Sequence, residues 1–278
     1  MTTQDPGAPP YDELVHVEIA GGVATLTLDS PVNRNALSGA LVAQLVLALE
    51  VLGDRAVRVV VLTGAGPVFC SGVDLKEQRR TGGAGLVALP EVLGTLMSSP
   101  KPVVARVNGP ARAGGVGLLA ACDIAIGLRS ATFAFSEVRL GLVPALISVP
   151  VLRRLDRRAA REYLLTGETF DGQVATGMGL LDRAVEADAL DAEVDRYVDM
   201  LIRGGPESLR LTKQLLADVP AMDVPAALVA MSALSAERFA SEEGQEGIAA
   251  FAARRAASWV HAGNRAQPEA FSPERPPG

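Results

Sequence analysis

Histidine and cysteine are scarce in this chain, with two of each among 278 residues. His16 falls in an early strand-like stretch and His261 close to the C-terminal end, so neither accompanies a nucleophile in sequence. No G-x-S-x-G turn occurs either, which argues against a serine hydrolase. Two cysteines cannot build a disulfide framework or a four-ligand zinc site. Cys122 reads as core packing; Cys70, at a strand end beside the first glycine turn, is the more interesting of the two, but with no histidine near it a nucleophilic role is poorly supported. Aromatic residues make up only 4% of the chain, and alanine, valine and leucine supply most of a 49% hydrophobic fraction. No run approaches the ~18–20 uncharged apolar residues that a membrane helix requires. The opening residues Met1–Pro6 lack the basic-then-apolar order of a secretory signal, so a soluble cytoplasmic protein is expected. Basic excess is missing as well. A net charge of −6 leaves nothing to replace phosphate counterions, which argues against nucleic acid as a partner. The arginine cluster Arg153–Arg158 reads as a solvated helix junction or subunit contact, with a phosphate clamp for an anionic ligand as the alternative.

What the chain does have is glycine, 28 residues of it. Two glycine-rich turns follow apolar strands: Phe69-Cys70-Ser71-Gly72-Val73-Asp74, and Asn108 through Gly117. The second opens into the helical stretch Leu118–Cys122. A glycine turn feeding a helix points unpaired backbone N–H groups at one spot, where they can hold an oxyanion. Two such turns can supply one donor each. A lone carboxylate, Glu137, follows in Phe135-Ser136-Glu137-Val138-Arg139-Leu140-Gly141. Together these features read as a site that stabilises an enolate and moves protons, a chemistry that needs no metal or redox cofactor.

The pattern divides the chain into four parts. Residues 1–10 hold three prolines and read as disordered. Residues 11–187 alternate strands and helices in repeated ββα-type turns. Val15–Ile19 and Val23–Leu28 alternate with period two around Gly21-Gly22 and predict a hairpin. Leu37–Leu52 carries helical spacing, Val57–Thr63 and Val103–Val107 are buried strands, and Glu77–Gly85 reads as a mobile loop before a helix from about Leu86 to Ser98. Asp123–Ile126 and Thr132–Ala134 are short strands. Residues 188–260 read as helical, with amphipathic stretches Pro206–Ala217 and Val224–Trp259. Phe251 and Trp259 are expected on one side of the last helix. Residues 261–278, with four prolines, read as a flexible tail.

The ordered fragments Asn35-Ala36-Leu37, Val60–Gly64, Phe69–Lys76, Pro102–Asp123, Phe133–Pro144 and Leu164–Asp171 resemble the enoyl-CoA hydratase/isomerase (crotonase) superfamily over nearly the whole chain. The resemblance implies an α/β fold, a crotonase-like spiral of ββα turns with a C-terminal helical region that assembles as a homotrimer or a dimer of trimers. It implies that the Val73 and Gly114 N–H groups form an oxyanion hole for a thioester carbonyl. It further implies that Ala36, Val73, Asp74, Leu75 and Lys76 line the channel for coenzyme A. Lys213 is a weaker match to its nucleotide end. Coenzyme A would enter as part of an acyl-CoA substrate, with no separate cofactor.

The chain departs from the family pattern beside the second turn. Two-carboxylate hydratases place one glutamate shortly after that turn and another further along. Glu137 matches the later one, but Gly117 stands at the earlier. A single glutamate suffices for the isomerases of the family. The surrounding residues, however, resemble a hydratase branch similar to methylglutaconyl-CoA hydratases, which also carry glycine there. Hydration of a 2-enoyl-CoA with Glu137 as acid/base is therefore the leading expectation, followed by 3-enoyl/2-enoyl isomerisation and by a non-catalytic acyl-CoA-binding subunit. Arg112, where relatives carry an apolar side chain, is expected either at the rim against a surface acid or in the acyl pocket against an acyl carboxylate. Gly117 is the other acyl-pocket candidate.

Overall fold

The computed structural model describes residues 13–81 and 87–260. The expected disordered N-terminus and C-terminal tail therefore lie outside the described residues. Strands β1 (Val15–Ala20) and β2 (Val23–Leu28) form the anticipated antiparallel hairpin. Its two-residue turn places Gly21 and Gly22 at φ of 57° and 85°, as a turn matching the strand twist requires. β2 then pairs in parallel with β3 (Val59–Gly64), and β3 with β4 (Val103–Val107). β4 pairs in parallel with β6 (Ile124–Leu128), and β6 with β9 (Arg183–Val185). The result is a six-stranded sheet in the order β1-β2-β3-β4-β6-β9. β3 is buried along its whole length, because a parallel strand is covered on both faces. A three-stranded sheet joins β5 (Ala111–Arg112), β7 (Thr132–Ala134) and β8 (Phe170–Asp171) in the order β5-β7-β8.

Parallel neighbours need crossovers, and helices supply them. They are α1 (Gly39–Ala48), α2 (Leu75–Thr81), α3 (Leu89–Ser98), α4 (Gly114–Ala121), α5 (Ala145–Arg154), α6 (Arg157–Thr166) and α7 (Gly172–Gly177). Ser38 begins α1 by accepting the Leu41 N–H through its side chain at 3.2 Å. Because β3 and β4 are parallel neighbours, their carboxyl ends open on the same edge of the sheet. Both glycine turns start there.

One buried side chain fastens that edge. Asn35 is 1% exposed and sits at φ 56°, a conformation its short amide tolerates better than most side chains. Its Nδ2 donates to the carbonyls of Ala65 (3.0 Å) and Val68 (2.8 Å), and its Oδ1 accepts the Ser30 N–H at 2.8 Å. Asn108 makes the matching link from the β4 side, accepting the Gly64 N–H at 3.2 Å and donating to the Gly66 carbonyl at 2.7 Å.

The described residues form two compact units, divided between Val198 and Asp199 within α8 (Leu190–Arg203). The division falls later than residue 188, since Asp191 on the first turns of α8 pairs with Arg106 of β4 at 2.6 Å. The second unit contains α9 (Pro206–Asp218), α10 (Val224–Ala240) and α11 (Glu242–Ala252). It leaves Val224, Leu228, Val229, Phe239, Ile248 and Phe251 exposed. Three expectations need correction. The stretch Val224–Trp259 is broken at Ser241, whose side chain accepts the Gly244 N–H and caps a new helix. That helix ends at Ala252, so Trp259 does not share a helix face with Phe251; its Nε1 donates to the Arg203 carbonyl at 3.0 Å. The Glu77–Gly85 loop is likewise helical as far as Thr81, and residues 82–86 lie outside the described residues. Among the described residues no helix is long and apolar enough to cross a membrane.

Replacing Asn35 with alanine strands the Ser30 N–H and the two carbonyls and leaves a Cβ residue at positive φ. The variant is expected to lose at least about 2 kcal/mol of stability in urea denaturation, and a loss below about 0.5 kcal/mol would contradict this role.

Candidate active site

The two glycine turns are sewn to each other by main-chain hydrogen bonds. Phe69 N–H donates to the Pro110 carbonyl at 3.1 Å, and Arg112 N–H donates to the Cys70 carbonyl at 3.1 Å. Gly72 adopts φ 91°, and a Cβ there would stand 2.8 Å from the Arg112 carbonyl oxygen, so only glycine fits between the turns. On its other side the first turn pairs with Leu37: the Leu37 N–H donates to the Gly72 carbonyl at 2.7 Å, and the Asp74 N–H to the Leu37 carbonyl at 3.3 Å. Val73 lies between these two bonds. Its own N–H donates to no acceptor among the described residues.

Gly114 presents the second such donor. It opens α4, so its N–H has no partner within the helix. The preceding Ala113 sits at φ 47°, ψ −116°, a rare conformation for a residue with a Cβ, costing about 1–3 kcal/mol. It is held there by its N–H on the Ala134 carbonyl at 3.0 Å, and by the Val116 and Gly117 N–H groups on its own carbonyl at 2.9 and 3.1 Å. A Cβ built on Gly114 would lie 3.8 Å from the Val73 nitrogen and would strike Leu37 Cδ1 at 2.8 Å. The two N–H groups are therefore neighbours, and the N-terminal end of α4 adds its partial positive charge to the pair.

Both donors line a cavity of about 410 Å³ in the first unit, which also takes in Ser71, Leu75, Gln78, Leu89, Ser136, Glu137 and the segment Leu142–Ile147. Glu137 reaches it from the single-turn helix Ser136–Leu140, which leaves β7 just after Ala134, the residue that anchors Ala113. Glu137 is half-buried, its Oε2 has no hydrogen-bond partner, and burial pushes its carboxyl above the ordinary carboxylate range. It is the one ionisable side chain among the described residues that line the cavity.

The remaining candidates fall elsewhere. Leu75 lines the cavity, whereas Ala36, Asp74 and Lys76 do not. Ala36 is buried, with its N–H donating to Asn33 Oδ1 at 3.1 Å. Asp74 caps α2 by accepting the N–H groups of Lys76 (3.0 Å) and Glu77 (3.1 Å); the Glu77 bond is the main reason its carboxyl lies below the ordinary range. Lys76 is exposed, and Lys213 lies on α9 in the second unit. Cys70 is fully buried and its thiol is pushed up to about 12, which leaves it inert as a nucleophile.

The two acyl-pocket candidates do not line the cavity. The Arg112 guanidinium faces Thr132, donating to its carbonyl and, at 2.8 Å, to its hydroxyl; it meets neither a surface acid nor the cavity. Gly117 is covered by Ile147 of α5, and a Cβ on Gly117 would stand 2.5 Å from Ile147 Cγ2. The place of a second carboxylate is thus filled by an aliphatic side chain. Sequence reasoning singles out neither Ile147 nor Gln78. The signal for Gln78 was its spacing, three residues past Leu75 on what proves to be one helix face.

A family model described as enoyl-CoA hydratase/isomerase matches residues 18–262. The chain is similar to a putative enoyl-CoA hydratase of Thermus thermophilus, with 38% identity over 217 residues, covering 75% of this chain and 85% of the relative. It is also similar to the mitochondrial enoyl-CoA hydratase domain-containing protein 3 of Mus musculus, with 32% identity over 248 residues, covering 86% of this chain and 82% of that protein. Among solved structures, a putative enoyl-CoA hydratase/isomerase (crotonase) from Legionella pneumophila superposes with a TM-score of 0.84 at 34% identity, covering 90% of this chain and all of the other.

The contact between Gly117 and Ile147 yields a test of how the site is closed. Gly117→Glu is expected to destabilise the protein by about 1–3 kcal/mol through overpacking. Adding Ile147→Ala should recover part of that loss. Strictly additive effects in a double-mutant cycle would show that the two side chains do not compete for the space.

Proposed function

The chain belongs to the enoyl-CoA hydratase/isomerase family, and on that premise we propose that it adds water to 2-enoyl-CoA thioesters with Glu137 as its one acid/base. The observation that carries this reading is a single carboxylate, its Oε2 without a partner, sharing a cavity with two neighbouring N–H donors that have no acceptor among the described residues. In the proposed reaction the thioester carbonyl accepts both N–H groups. Water attacks the β-carbon while Glu137 takes its proton, and negative charge gathers on the thioester oxygen. Glu137 then returns the proton to the α-carbon as the enolate collapses. Each donor to a developing oxyanion is worth about 2.7–4 kcal/mol, and positioned acid/base transfer about 10²–10⁴-fold.

A raised carboxyl suits both halves of this cycle, because the group must be a base and then an acid near the same pH. The apolar side chains around it supply that shift. Asp74, Leu75 and Lys76 follow the Val73 donor in sequence, and Ala36 precedes Leu37, which bridges to Val73; we assign all four to the coenzyme A end, where the exposed Lys76 ammonium suits an anionic ligand. A second reading, double-bond isomerisation, is favoured by Ile147 over Gly117, since migration of a proton from the γ- to the α-carbon needs one carboxylate and no held water.

Product mass separates the two: hydration adds the mass of water, and isomerisation leaves the mass unchanged. Glu137→Gln is expected to lower turnover at least about 100-fold while acyl-CoA affinity stays within a few-fold. Near-wild-type turnover would remove Glu137 from the mechanism. Turnover absent from the wild type with acyl-CoA binding intact would instead support a non-catalytic binding subunit.

The pH dependence has a definite sign. Glu137 must be ionised to act as a base, so kcat/KM should fall as pH drops through a value above the ordinary carboxylate range. A group whose folded-state pKa is raised favours the folded state below its unfolded pKa, and that contribution is lost as pH rises through the folded pKa. At neutral pH Glu137→Gln should therefore melt at the same or a higher temperature than the wild type. A clear drop in Tm would contradict the burial assigned to this carboxylate.

A further inference from the structure

Gln78 has no place in the proton chemistry, and the fold does not satisfy it. Both Oε1 and Nε2 are buried without a hydrogen-bond partner, and the residue lines the same cavity as Glu137. A buried amide left unpaired costs about 1–3 kcal/mol per group, so a native chain keeps one where something else completes it. Among the described residues that line the cavity, Leu75, Leu89, Leu142, Val143 and Ile147 are apolar, and the polar ones, Ser71, Ser136 and Glu137, make no hydrogen bond to the Gln78 amide. Gln78 lies one turn past Leu75 on α2, about 4.5 Å further along the helix from the Val73 donor. Gln78 shares its cavity with Glu137, whereas Ala36, Asp74 and Lys76 do not line it, so a group meeting Gln78 belongs to the acyl chain.

The cavity also constrains the charge of that group. No lysine or arginine is among the described residues that line it, and Arg112 is spent on Thr132. An acyl carboxylate would be buried without a counter-ion, beside the Glu137 carboxylate. A primary amide, with one acceptor atom and one donor atom free, is answered best by a neutral group that both gives and accepts a hydrogen bond. We propose that Gln78 is a specificity residue of the acyl pocket, and that the preferred acyl-CoA carries a hydroxyl beyond its β-carbon, bonded by the Gln78 amide. This rests on the acyl-CoA reading of the site and narrows its substrate class. A site built to hydrogen-bond a substrate hydroxyl discriminates against the analogue lacking it, because its own polar group is then stranded.

The test uses binding as well as turnover. Saturated acyl-CoAs of one chain length, either unsubstituted or with a hydroxyl at successive carbons beyond the β-carbon, are titrated calorimetrically into the full chain and into Gln78→Met and Gln78→Leu. The wild type is expected to prefer one hydroxylated isomer at least about 10-fold. The variants should lose that preference while binding the unsubstituted chain as well as the wild type or better. Equal wild-type affinity for all isomers would overturn the proposal, as would a preference that survives in both variants; in either case a bound water alone completes the amide. The wild-type comparison stands even if both variants fail to fold. Binding requires no reaction, so a missing hydratase or isomerase turnover would count against the proposed activity alone. Kinetics with the matching 2-enoyl-CoAs should show the same selectivity in KM.

Discussion

Two neighbouring backbone N–H groups without acceptors of their own, those of Val73 and Gly114, are the constraint on which the rest of the first unit depends. An unpaired main-chain donor away from water is costly, and a rigid frame is needed to keep two of them pointed at one spot. β3 and β4 deliver the two turns to the same sheet edge, and Asn35 and Asn108 tie down the main chain where they begin. The bonds between Phe69 and Pro110 and between Arg112 and Cys70 set their spacing. Ala113 carries backbone strain at the point where the second donor is aimed. Strain and unpaired donors at one location fit a site whose missing partner is a ligand oxygen.

The Glu137 side of the cavity is simpler than the side of the two N–H donors. Glu137 is the one ionisable side chain among the described residues lining a largely apolar cavity, and Ile147 fills the space over Gly117. The same apolar wall that raises the Glu137 carboxyl leaves the Gln78 amide without partners. On the proposed reading, chemistry and selectivity would both come from placing a few polar groups in a setting that the described residues do not satisfy.

Much of this was legible in local sequence. The Gly21-Gly22 hairpin, the β-branched run of β3 and the glycine turns each carry their signal within a few residues, and Glu137 stands out as a carboxylate soon after them. What escaped depends on contacts that are distant or easily overlooked. Gly117 and Ile147 meet although α4 and α5 are separate helices, and nothing in either segment announces the other. Arg112 finds Thr132 across the pairing of β5 with β7. The Glu77–Gly85 stretch reads as a loop on its glycines, but Asp74 caps Lys76 and Glu77 and turns its first part into α2; that error hid Gln78. Ser241 followed by two glutamates is a helix start that could have been read, and it divides the long helical stretch after Val224.

The central claim is that the Val73 and Gly114 N–H groups polarise the carbonyl of a bound acyl-CoA. The most direct measurement is isotope-edited infrared difference spectroscopy of a 2-enoyl-CoA labelled at the thioester carbonyl and bound to Glu137→Gln, in which the chemistry is arrested. Two hydrogen bonds to that oxygen predict a carbonyl stretch moved to lower frequency than in free substrate in water. A stretch at or above the free value, with the ligand bound, would contradict the account.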